Sequence, residues 1–254
     1  MMGSLLSGKS VVIIGGTSGI GASAACRFVD EGAHVTVLGL PDTEPVSLPP
    51  HVCVLEGDVL TDGVVERVFK TACDCFGGVH ALYHVAGGSG RKFGDGPLAE
   101  MSREAWQSTL DLNLTGVMLS NRVALRHFLE QGHGGAILNM SSVLAWAPEP
   151  PLFETHAYAA AKSAVIGLSR SLAASYAPRN IRVNVIAPGL VDTPMARRAK
   201  SNPEIMRFMT TKQPLDGGRM ALPEDLDAAA ALLLSDQSRF ITGQVLAVDG
   251  GWSL

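Results

Sequence analysis

The sequence predicts an α/β fold in which a doubly wound parallel sheet of about seven strands carries helices on both faces. Short β-branched runs alternate with amphipathic helical patterns along the whole chain, and this alternation is typical of parallel sheets with right-handed crossovers. No linker or internal repeat interrupts the order. With 254 residues, 46% of them apolar, the chain can bury a sizeable core, so we expect a single domain over residues 1–254.

Seven short apolar runs are predicted as strands, at residues 10–14, 34–38, 52–56, 81–85, 135–139, 182–186 and 245–248. Five longer stretches carry apolar residues at helical spacing and are predicted as helices, at residues 20–31, 64–75, 103–131, 158–176 and 223–234. Ligands of such folds bind beyond the carboxyl ends of the strands. Residues that follow a strand or begin a helix are therefore the first candidates for a site.

Two segments are predicted to be irregular. Residues 41–50 are rich in proline and form a loop, because strand signals resume at once. Residues 188–223 form a longer connection, and connections of that length are usually lids or binding loops. We expect a substrate lid at about 190–222.

Composition excludes several classes of protein. A net charge of −4 without a long basic stretch argues against nucleic acid as the main partner. The apolar runs are too short to span a bilayer and the N-terminus lacks a secretory signal, so no membrane partner and a soluble, cytoplasmic protein are expected. The four cysteines and seven histidines match no metal-ligand spacing, which favours reduced thiols and no metal site.

Two phosphate-binding signatures overlap near the N-terminus. The first, G-x-x-x-x-G-K-[ST] from Gly3 to Ser10, requires a strand before it and a helix after it, whereas here a strand follows; an ATP-binding loop is therefore disfavoured. The second signature lies between a strand and a helix, where backbone N–H groups and the helix N-terminus bind phosphate. Its glycines are Gly15, Gly16, Gly19 and Gly21.

The pair Tyr158 and Lys162 is the strongest chemical signal. Four residues apart on a helix, they share one face, and a nearby cation lowers the pKa of a phenol, so Tyr158 is predicted to be a general acid or base. Hydroxyls at Ser141 and Ser142 end a predicted strand. Asn113 lies in an apolar helical stretch. Its amide either makes a structural hydrogen bond or belongs to a proton relay.

Together with these residues, the motifs GGTSGIG, Asp58-Val59, NVIAPGLVDTPM and FITGQVLAVDGGW occur in an order that resembles the short-chain dehydrogenase/reductases in their compact form. The resemblance covers essentially the whole chain. It implies a Rossmann-type sheet, a nicotinamide dinucleotide, and hydride exchange with a small-molecule alcohol or carbonyl. It also implies a homo-oligomer, a tetramer in most members, and the apolar C-terminal VDGGWSL is expected at an interface.

The resemblance implies roles for four side chains. Tyr158 would transfer a proton to or from the substrate oxygen, and Ser142 would hydrogen-bond that oxygen. Lys162 would hold the nicotinamide ribose and lower the Tyr158 pKa, while Asn113 would order a helix break and a water path.

It also implies which residues hold the dinucleotide, together with Tyr158 and Lys162. Glycine backbone would meet the pyrophosphate, Asp58 the adenine amino group, and the residues after the sixth strand the nicotinamide. In chain order they are Gly15, Thr17, Ser18, Gly19, Ile20, Gly21, Leu40, Asp58, Val59, Val85, Ala86, Gly87, Pro188, Gly189, Val191 and Thr193.

The chain departs from the family pattern at three places. Ile14 stands where a threonine is usual, and His84-Val85 replace two amides after the fourth strand; His84 is expected to be structural. The segment AWAPEPPLFETH places Ser142 and Tyr158 a few residues further apart in the chain than is usual in the family. This extra loop is expected to border the substrate pocket.

The cofactor is expected to be NAD. Gly39 and Leu40 offer no cation for a 2′-phosphate at the end of the second strand, and Asp42 would repel one. NADP stays possible if Arg27 or Lys92 folds back toward the cleft.

The leading hypothesis is an oxidoreductase that transfers hydride between NAD(H) and a secondary alcohol or ketone, among them polyols, sugars, hydroxy acids and cyclic diols. One alternative is an NADPH-dependent 3-oxoacyl thioester reductase, in which Arg197, Arg198 and Lys200 meet an acyl-carrier phosphate instead of forming a solvated lid helix. The other is a dinucleotide-binding sensor without catalysis, which the altered HVAG segment would suit.

Overall fold

The protein folds around one seven-stranded sheet in which every pair of neighbouring strands is parallel, in the order β3-β2-β1-β4-β5-β6-β7. The structure is a computed structural model that describes residues 4–41 and 47–254. Its strands are β1 Ser10–Ile14, β2 His34–Gly39, β3 Cys53–Glu56, β4 Ala81–His84, β5 Gly135–Met140, β6 Ile181–Pro188 and β7 Val245–Val248. The predicted fold class is confirmed.

The α-helices cover both faces of the sheet and are α1 Gly19–Asp30, α2 Val64–Phe76, α3 Arg103–Leu110, α4 Gly116–Gln131, α5 His156–Tyr176, α6 Arg197–Lys200, α7 Pro203–Lys212 and α8 Asp227–Leu234. The single helix predicted over 103–131 is interrupted, since a π-helical turn at Asp111–Thr115 separates α3 from α4. A 3₁₀ turn at Pro223–Leu226 precedes α8.

Alternation along β1 shows how the sheet serves two cores. Val11 and Ile13 pack into the core that contains α1 and α8, while Val12 and Ile14 pack into the core that contains α2 and α4. Successive strand side chains point to opposite faces, and a parallel sheet covered on both faces buries both sets. This explains why β1 is apolar throughout rather than alternating.

The strand order reverses between β1 and β4, which are hydrogen-bonded neighbours, with Ile14 paired to His84 at their carboxyl ends. The chain leaves these two ends toward opposite faces of the sheet. A crevice therefore opens at this point, the position at which open α/β sheets bind ligands. Ser10 begins β1 directly, so the first glycine signature lacks the strand-loop-helix setting that it needs.

The segment predicted as irregular contains two helices, α6 and α7, so that part of the prediction is wrong. Asn202 caps α7, because its side chain accepts hydrogen bonds from the N–H groups of Glu204 and Ile205, and Pro203 occupies the first helical turn. Ile205 and Met209, one turn apart, are fully buried. The capping asparagine and the proline are ordinary signals of a helix start. The length of the connection alone does not indicate them.

Within the described ranges, no helix is long and apolar enough to cross a membrane. No group of three or more His, Cys, Asp or Glu side chains in the same ranges could hold a metal ion.

Candidate active site

The turn between β1 and α1 can be built only from glycine at its first position. Gly15 has φ +85°, and a Cβ there would lie 2.7 Å from the backbone nitrogen of Ala86. A Cβ on Gly21 would overlap the Gly15 carbonyl. The loops after β1 and β4 therefore approach each other closely at the strand-order reversal, and the N-terminus of α1 is left facing the crevice.

A cleft of about 500 Å³ occupies this crevice. The predicted dinucleotide-binding residues that line it are Gly15, Thr17, Ser18, Gly19, Ile20, Leu40, Asp58, Val59, Val85, Ala86, Gly87 and Thr193. Gly21 lies beneath the glycine turn rather than in the cleft wall. The structure thus brings residues from both halves of the sheet to one groove.

The end of β2 forms one side of this cleft. A Cβ on Gly39 would lie 2.6 Å from the Thr17 Cβ, so the Thr17 side chain occupies the space that an acidic residue would need. Arg27 is paired with Glu31 at 2.5 Å, whereas Lys92 lines the cleft. Asp42, which was predicted to repel a 2′-phosphate, lies outside the described residues.

A second cavity, of about 270 Å³, adjoins the cleft and shares three lining residues with it, Ile20, Thr193 and Met195. Ser142 and Tyr158 line this cavity, as do the predicted nicotinamide-pocket residues Pro188, Gly189, Val191 and Thr193. The lid contributes Met195, Ala196, Arg198 and Ala199. We refer to this space as the substrate cavity.

Tyr158 lies in the first turn of α5 and is 8% exposed. Burial raises the pKa of the Tyr158 phenol to about 12, and the neighbouring Ser142 hydroxyl opposes this rise. The Lys162 ammonium lies 5.5 Å from the centre of the Tyr158 ring. The net shift of the Tyr158 pKa in the protein alone is upward, opposite to the predicted lowering, because desolvation is its largest cause.

Lys162 is buried beside the end of β5. Its ammonium donates a hydrogen bond to the Met140 carbonyl at 3.0 Å, and its own carbonyl accepts one from the Ser141 hydroxyl at 2.8 Å. Burial lowers the pKa of Lys162 to about 8. Ser141 thus ties α5 to the strand end, while Ser142 faces the substrate cavity.

Asn113 lies at the centre of the π-helical turn and is fully buried. Its amide nitrogen donates to the carbonyls of Gly88 and Thr109 at 2.8 and 3.0 Å, and its amide oxygen accepts from the Gly88 N–H at 3.1 Å. A Cβ on Gly87 would lie 2.8 Å from that oxygen and 3.2 Å from Lys162 Nζ. The structural hydrogen bonds foreseen for Asn113 are therefore present, and they hold the loop after β4 against the active-site helices.

His84 has the structural role expected of it. It is fully buried, with Nδ1 2.7 Å from the Ser120 hydroxyl and Nε2 3.2 Å from the Ala86 carbonyl. Burial, aided by the Lys162 charge, lowers the pKa of His84 to about 3, so the ring is neutral. It ties β4 to α4 in place of the amides that the family pattern has there.

The long loop before α5 borders the substrate cavity, as expected, through Phe153 and Thr155. The Phe153 ring packs edge-on against Trp252 with centroids 5.1 Å apart, and the Trp252 indole donates to the Ala147 carbonyl at 3.2 Å. Trp252 is 1% exposed, so this part of the C-terminal segment packs inside its own chain instead of offering a surface for an interface.

Three polar residues of the site carry no local sequence motif. The Asp95 carboxylate accepts from the first N–H groups of α5, and Gln213 pins the start of the lid through the N–H and carbonyl of Leu190. Arg91 lines the substrate cavity from the turn after β4. Each of the three contacts residues that are far from it in the chain, and local sequence motifs do not indicate such contacts.

Comparison with known proteins agrees with this geometry. The family model described as enoyl-(acyl carrier protein) reductase matches residues 15–253. The chain is 38% identical to 3β-hydroxysteroid dehydrogenase 1 of Eggerthella lenta, over 98% of this chain and 95% of the relative. It is 34% identical to cis-4-hydroxycyclohexanecarboxylate dehydrogenase of Sinomonas cyclohexanicum, over 99% of both chains.

Among solved structures, aldohexose dehydrogenase of Thermoplasma acidophilum superposes with a TM-score of 0.84 and 31% identity, covering 98% of this chain and 96% of that one. Both the sequence and the fold thus match dehydrogenases over their full length. The chain belongs to the short-chain dehydrogenase/reductases, the family of NAD(P)-dependent oxidoreductases of alcohol and carbonyl groups that its motifs resemble.

Proposed function

We propose that the protein transfers hydride between NAD(H) and the oxygen-bearing carbon of a compact cyclic secondary alcohol or ketone. The observation that carries the proposal is the substrate cavity: Ser142 and Tyr158 line an otherwise largely apolar space that adjoins the dinucleotide cleft. This arrangement provides hydroxyl groups for a substrate oxygen and apolar walls for its carbon skeleton.

The cleft suits a dinucleotide. A Cβ at Gly15 would fill space between the two loops of the crevice, and the N-terminus of α1 supplies N–H groups for a pyrophosphate. Asp58, Val59, Val85 and Ala86 line the cleft and would hold the adenosine half, and Thr193 lines both the cleft and the substrate cavity. When bound, the dinucleotide would supply the hydride in its reduced form and accept it in its oxidised form, which carries a positive charge.

The proton chemistry follows from burial. With a pKa of about 12, the Tyr158 phenol keeps its proton at neutral pH and can donate it to a carbonyl oxygen during reduction. Oxidation of an alcohol needs the phenolate, which the Ser142 hydroxyl and the Lys162 ammonium both favour. We assign Tyr158 as general acid and base, Ser142 as hydrogen-bond partner of the substrate oxygen, and Lys162 and Asn113 as supports of the proton path.

Cavity size favours a small ring. About 270 Å³ is below the range of about 300–1,000 Å³ typical of pockets for drug-sized ligands, and the nicotinamide must share this space. The names of the two curated relatives place the alcohol on a ring, a steroid in one and a cyclohexane in the other. A single substituted ring is therefore the substrate size that this cavity favours.

NAD is the proposed cofactor. No cation lies at Gly39 or Leu40, and Arg27 is held by Glu31 away from the cleft. Lys92 is the cation that could serve a 2′-phosphate, and its ammonium lies 4.8 Å from the centre of the Phe93 ring. With Lys92 as the one candidate cation among the described cleft residues, we expect NADP to be the weaker cofactor.

The acyl-thioester reductase is not favoured. Lys200 is paired with Asp192 at 2.6 Å, so one of the protein's own carboxylates already neutralises this cation of the basic cluster. The relatives found are named as dehydrogenases, which also speaks against a sensor without catalysis.

We further propose that residues 190–222 act as a lid within a single domain, and that the protein is a cytoplasmic homotetramer. Residues of this segment, among them Met195, Ala196, Arg198 and Ala199, line the substrate cavity. Met118 and Leu129 of α4 are partly exposed beside an apolar groove that runs between α4 and α5, a surface suited to association. Light scattering tests the assembly, and a mass of one chain would contradict it.

The test of the activity is a panel of cyclic and open-chain secondary alcohols assayed by NADH absorbance, with wild type and Tyr158→Phe. We expect cyclohexanols to be oxidised, and the variant to bind NADH normally while losing at least about 100-fold in kcat. Normal turnover by Tyr158→Phe, or no hydride transfer to either cofactor across the panel, would overturn the assignment.

A further inference from the structure

Two arginines line the substrate cavity in addition to the catalytic hydroxyls. Arg91 comes from the turn Arg91–Phe93 after β4, and Arg198 comes from α6 in the lid. Both guanidinium groups donate through Nη2 to one atom, the Leu152 carbonyl oxygen, at 3.5 and 3.0 Å. Two positive charges from distant segments thus converge at one point of the cavity wall.

Neither arginine has an ion-pair partner among residues 4–41 and 47–254. Burial and the Arg198 charge lower the pKa of Arg91, while the Asp95 and Glu154 charges oppose this. The Asp95 carboxylate is occupied by the N–H groups that begin α5, and Glu154 lies 3.5 Å from His156. The two like charges are therefore held together without a paired anion, an arrangement that a ligand anion would stabilise.

Most of the donor capacity of these groups is unused. Each guanidinium has five N–H bonds, and within the described ranges each makes a single hydrogen bond, to Leu152. The cavity wall around them is mainly apolar and includes Val143, Leu144, Phe153, Leu190 and Trp252. A ligand that fills this space needs an apolar body, an oxygen at Tyr158 and an anion at the arginines.

We propose that Arg91 and Arg198 bind a carboxylate of the substrate, which makes the substrate class a cyclic hydroxy acid or the corresponding oxo acid. This inference rests on the proposed oxidoreductase function. A planar carboxylate matches the planar donor fork of a guanidinium, and its small size suits a cavity of about 270 Å³. The lid residue Arg198 would then couple substrate binding to lid closure.

The test compares 4-hydroxycyclohexanecarboxylate with the neutral 4-hydroxycyclohexanecarboxamide as substrates of wild type, Arg91→Gln, Arg198→Gln and the double variant. Arg207→Gln is the matched control, because Arg207 is an exposed lid arginine that does not line the cavity. We expect kcat/KM for the carboxylate to fall about 10- to 100-fold in each single variant, mainly through KM. Turnover of the carboxamide should fall much less than turnover of the carboxylate, and circular dichroism together with NADH titration shows that the variants remain folded. Arg207→Gln should leave the turnover of both substrates unchanged.

A second measurement separates this inference from the proposed function. Calorimetric titration of the NADH-saturated enzyme with cyclohexanecarboxylate and cyclohexanecarboxamide, which cannot react, reports the anion site without turnover. Carboxylate binding that the double variant loses supports the arginine site even if no alcohol is oxidised. Equal binding of the two ligands, or equal turnover of both substrates in all variants, overturns the inference while leaving the oxidoreductase intact. Inorganic phosphate that competes as strongly as the carboxylate would also overturn the assignment to a carboxylate.

Discussion

Asp95 holds the backbone of Tyr158: its carboxylate accepts the Tyr158 N–H at 2.9 Å and the Ala157 N–H at 3.0 Å, from a position 63 residues before the tyrosine. The first N–H groups of a helix have no partner inside the helix, and a negative charge is favourable at that end. The orientation of Tyr158, the proposed general acid, thus depends on a cap that comes from the loop after β4.

Replacing Asp95 by alanine should affect both stability and turnover. Two buried N–H groups would lose their partner, so the free energy of unfolding should fall by about 2 kcal/mol, and kcat should fall because the first turn of α5 frays. Urea denaturation and steady-state kinetics measure the two effects. Ser235→Ala, which removes the cap of the short turn Asp236–Ser238 far from the site, should cost stability with no change in kcat. An unchanged kcat in Asp95→Ala would show that the cap is structural only.

Burial of Lys162 should make stability depend on pH. The folded-state pKa of about 8 is below the ordinary value of 10.5, so between these values the unfolded chain binds a proton that the folded protein has released. Stability of wild type relative to Lys162→Met should therefore rise with pH across that window, by on the order of 3 kcal/mol in total. Below pH 8 the cost of burying the charge is present in full.

Denaturant titrations of both proteins from neutral to alkaline pH check this. Lys70→Met is the control, because Lys70 is exposed and paired with Asp74, and no such rise is expected for it. A difference between wild type and Lys162→Met that stays constant with pH would mean that the ammonium is not desolvated.

Gly15→Ala should weaken cofactor binding. The residue has φ +85° and its Cβ would lie within 3 Å of the Ala86 backbone, so the two loops of the crevice must separate. Gly77→Ala is a matched control with φ +80° and nothing within 4 Å of its Cβ, and should cost about 1 kcal/mol from backbone strain alone. We expect NADH affinity, measured by fluorescence titration, to be normal in the control and at least about 10-fold weaker in Gly15→Ala. Equal affinities would show that the close approach is unimportant for binding.

The parts of the fold that local patterns determine were predictable. β1, the glycine turn and α2 follow from β-branched runs, glycine spacing and helical periodicity, because each depends on neighbours in the chain. The start of α7 at Asn202-Pro203 also carries local signals, a capping residue followed by proline. The length of the connection nevertheless favours an irregular lid at the level of sequence. The spacing of Tyr158 and Lys162 correctly placed both on one helix face.

What the sequence could not indicate depends on tertiary burial. Spacing along a helix says nothing about solvent, and desolvation is the larger effect on the Tyr158 pKa. Likewise Arg91 and Arg198 meet at Leu152 only because the loop after β4, the long loop before α5 and the lid pack together. Trp252 belongs to the interior for the same reason, since Phe153 and Phe208 cover it.

Cofactor choice should respond to a single residue at the end of β2. Leu40 is about half exposed and lines the dinucleotide cleft, and Gly39 cannot carry a side chain without displacing Thr17. Leu40→Arg would place a guanidinium beside the adenosine half, where it can pair with a 2′-phosphate. We expect the ratio of kcat/KM for NADPH to that for NADH to rise by at least about 10-fold.

The neutral variant Leu40→Gln controls for loss of the leucine and should leave that ratio nearly unchanged. Because the gain is electrostatic and the site is open to solvent, it should shrink as the salt concentration is raised. Lys92→Gln should remove whatever NADPH activity the wild type has, since Lys92 is a cation in the cleft wall. A wild type that prefers NADPH, with the preference lost in Lys92→Gln, would contradict the choice of NAD and assign the 2′-phosphate to Lys92.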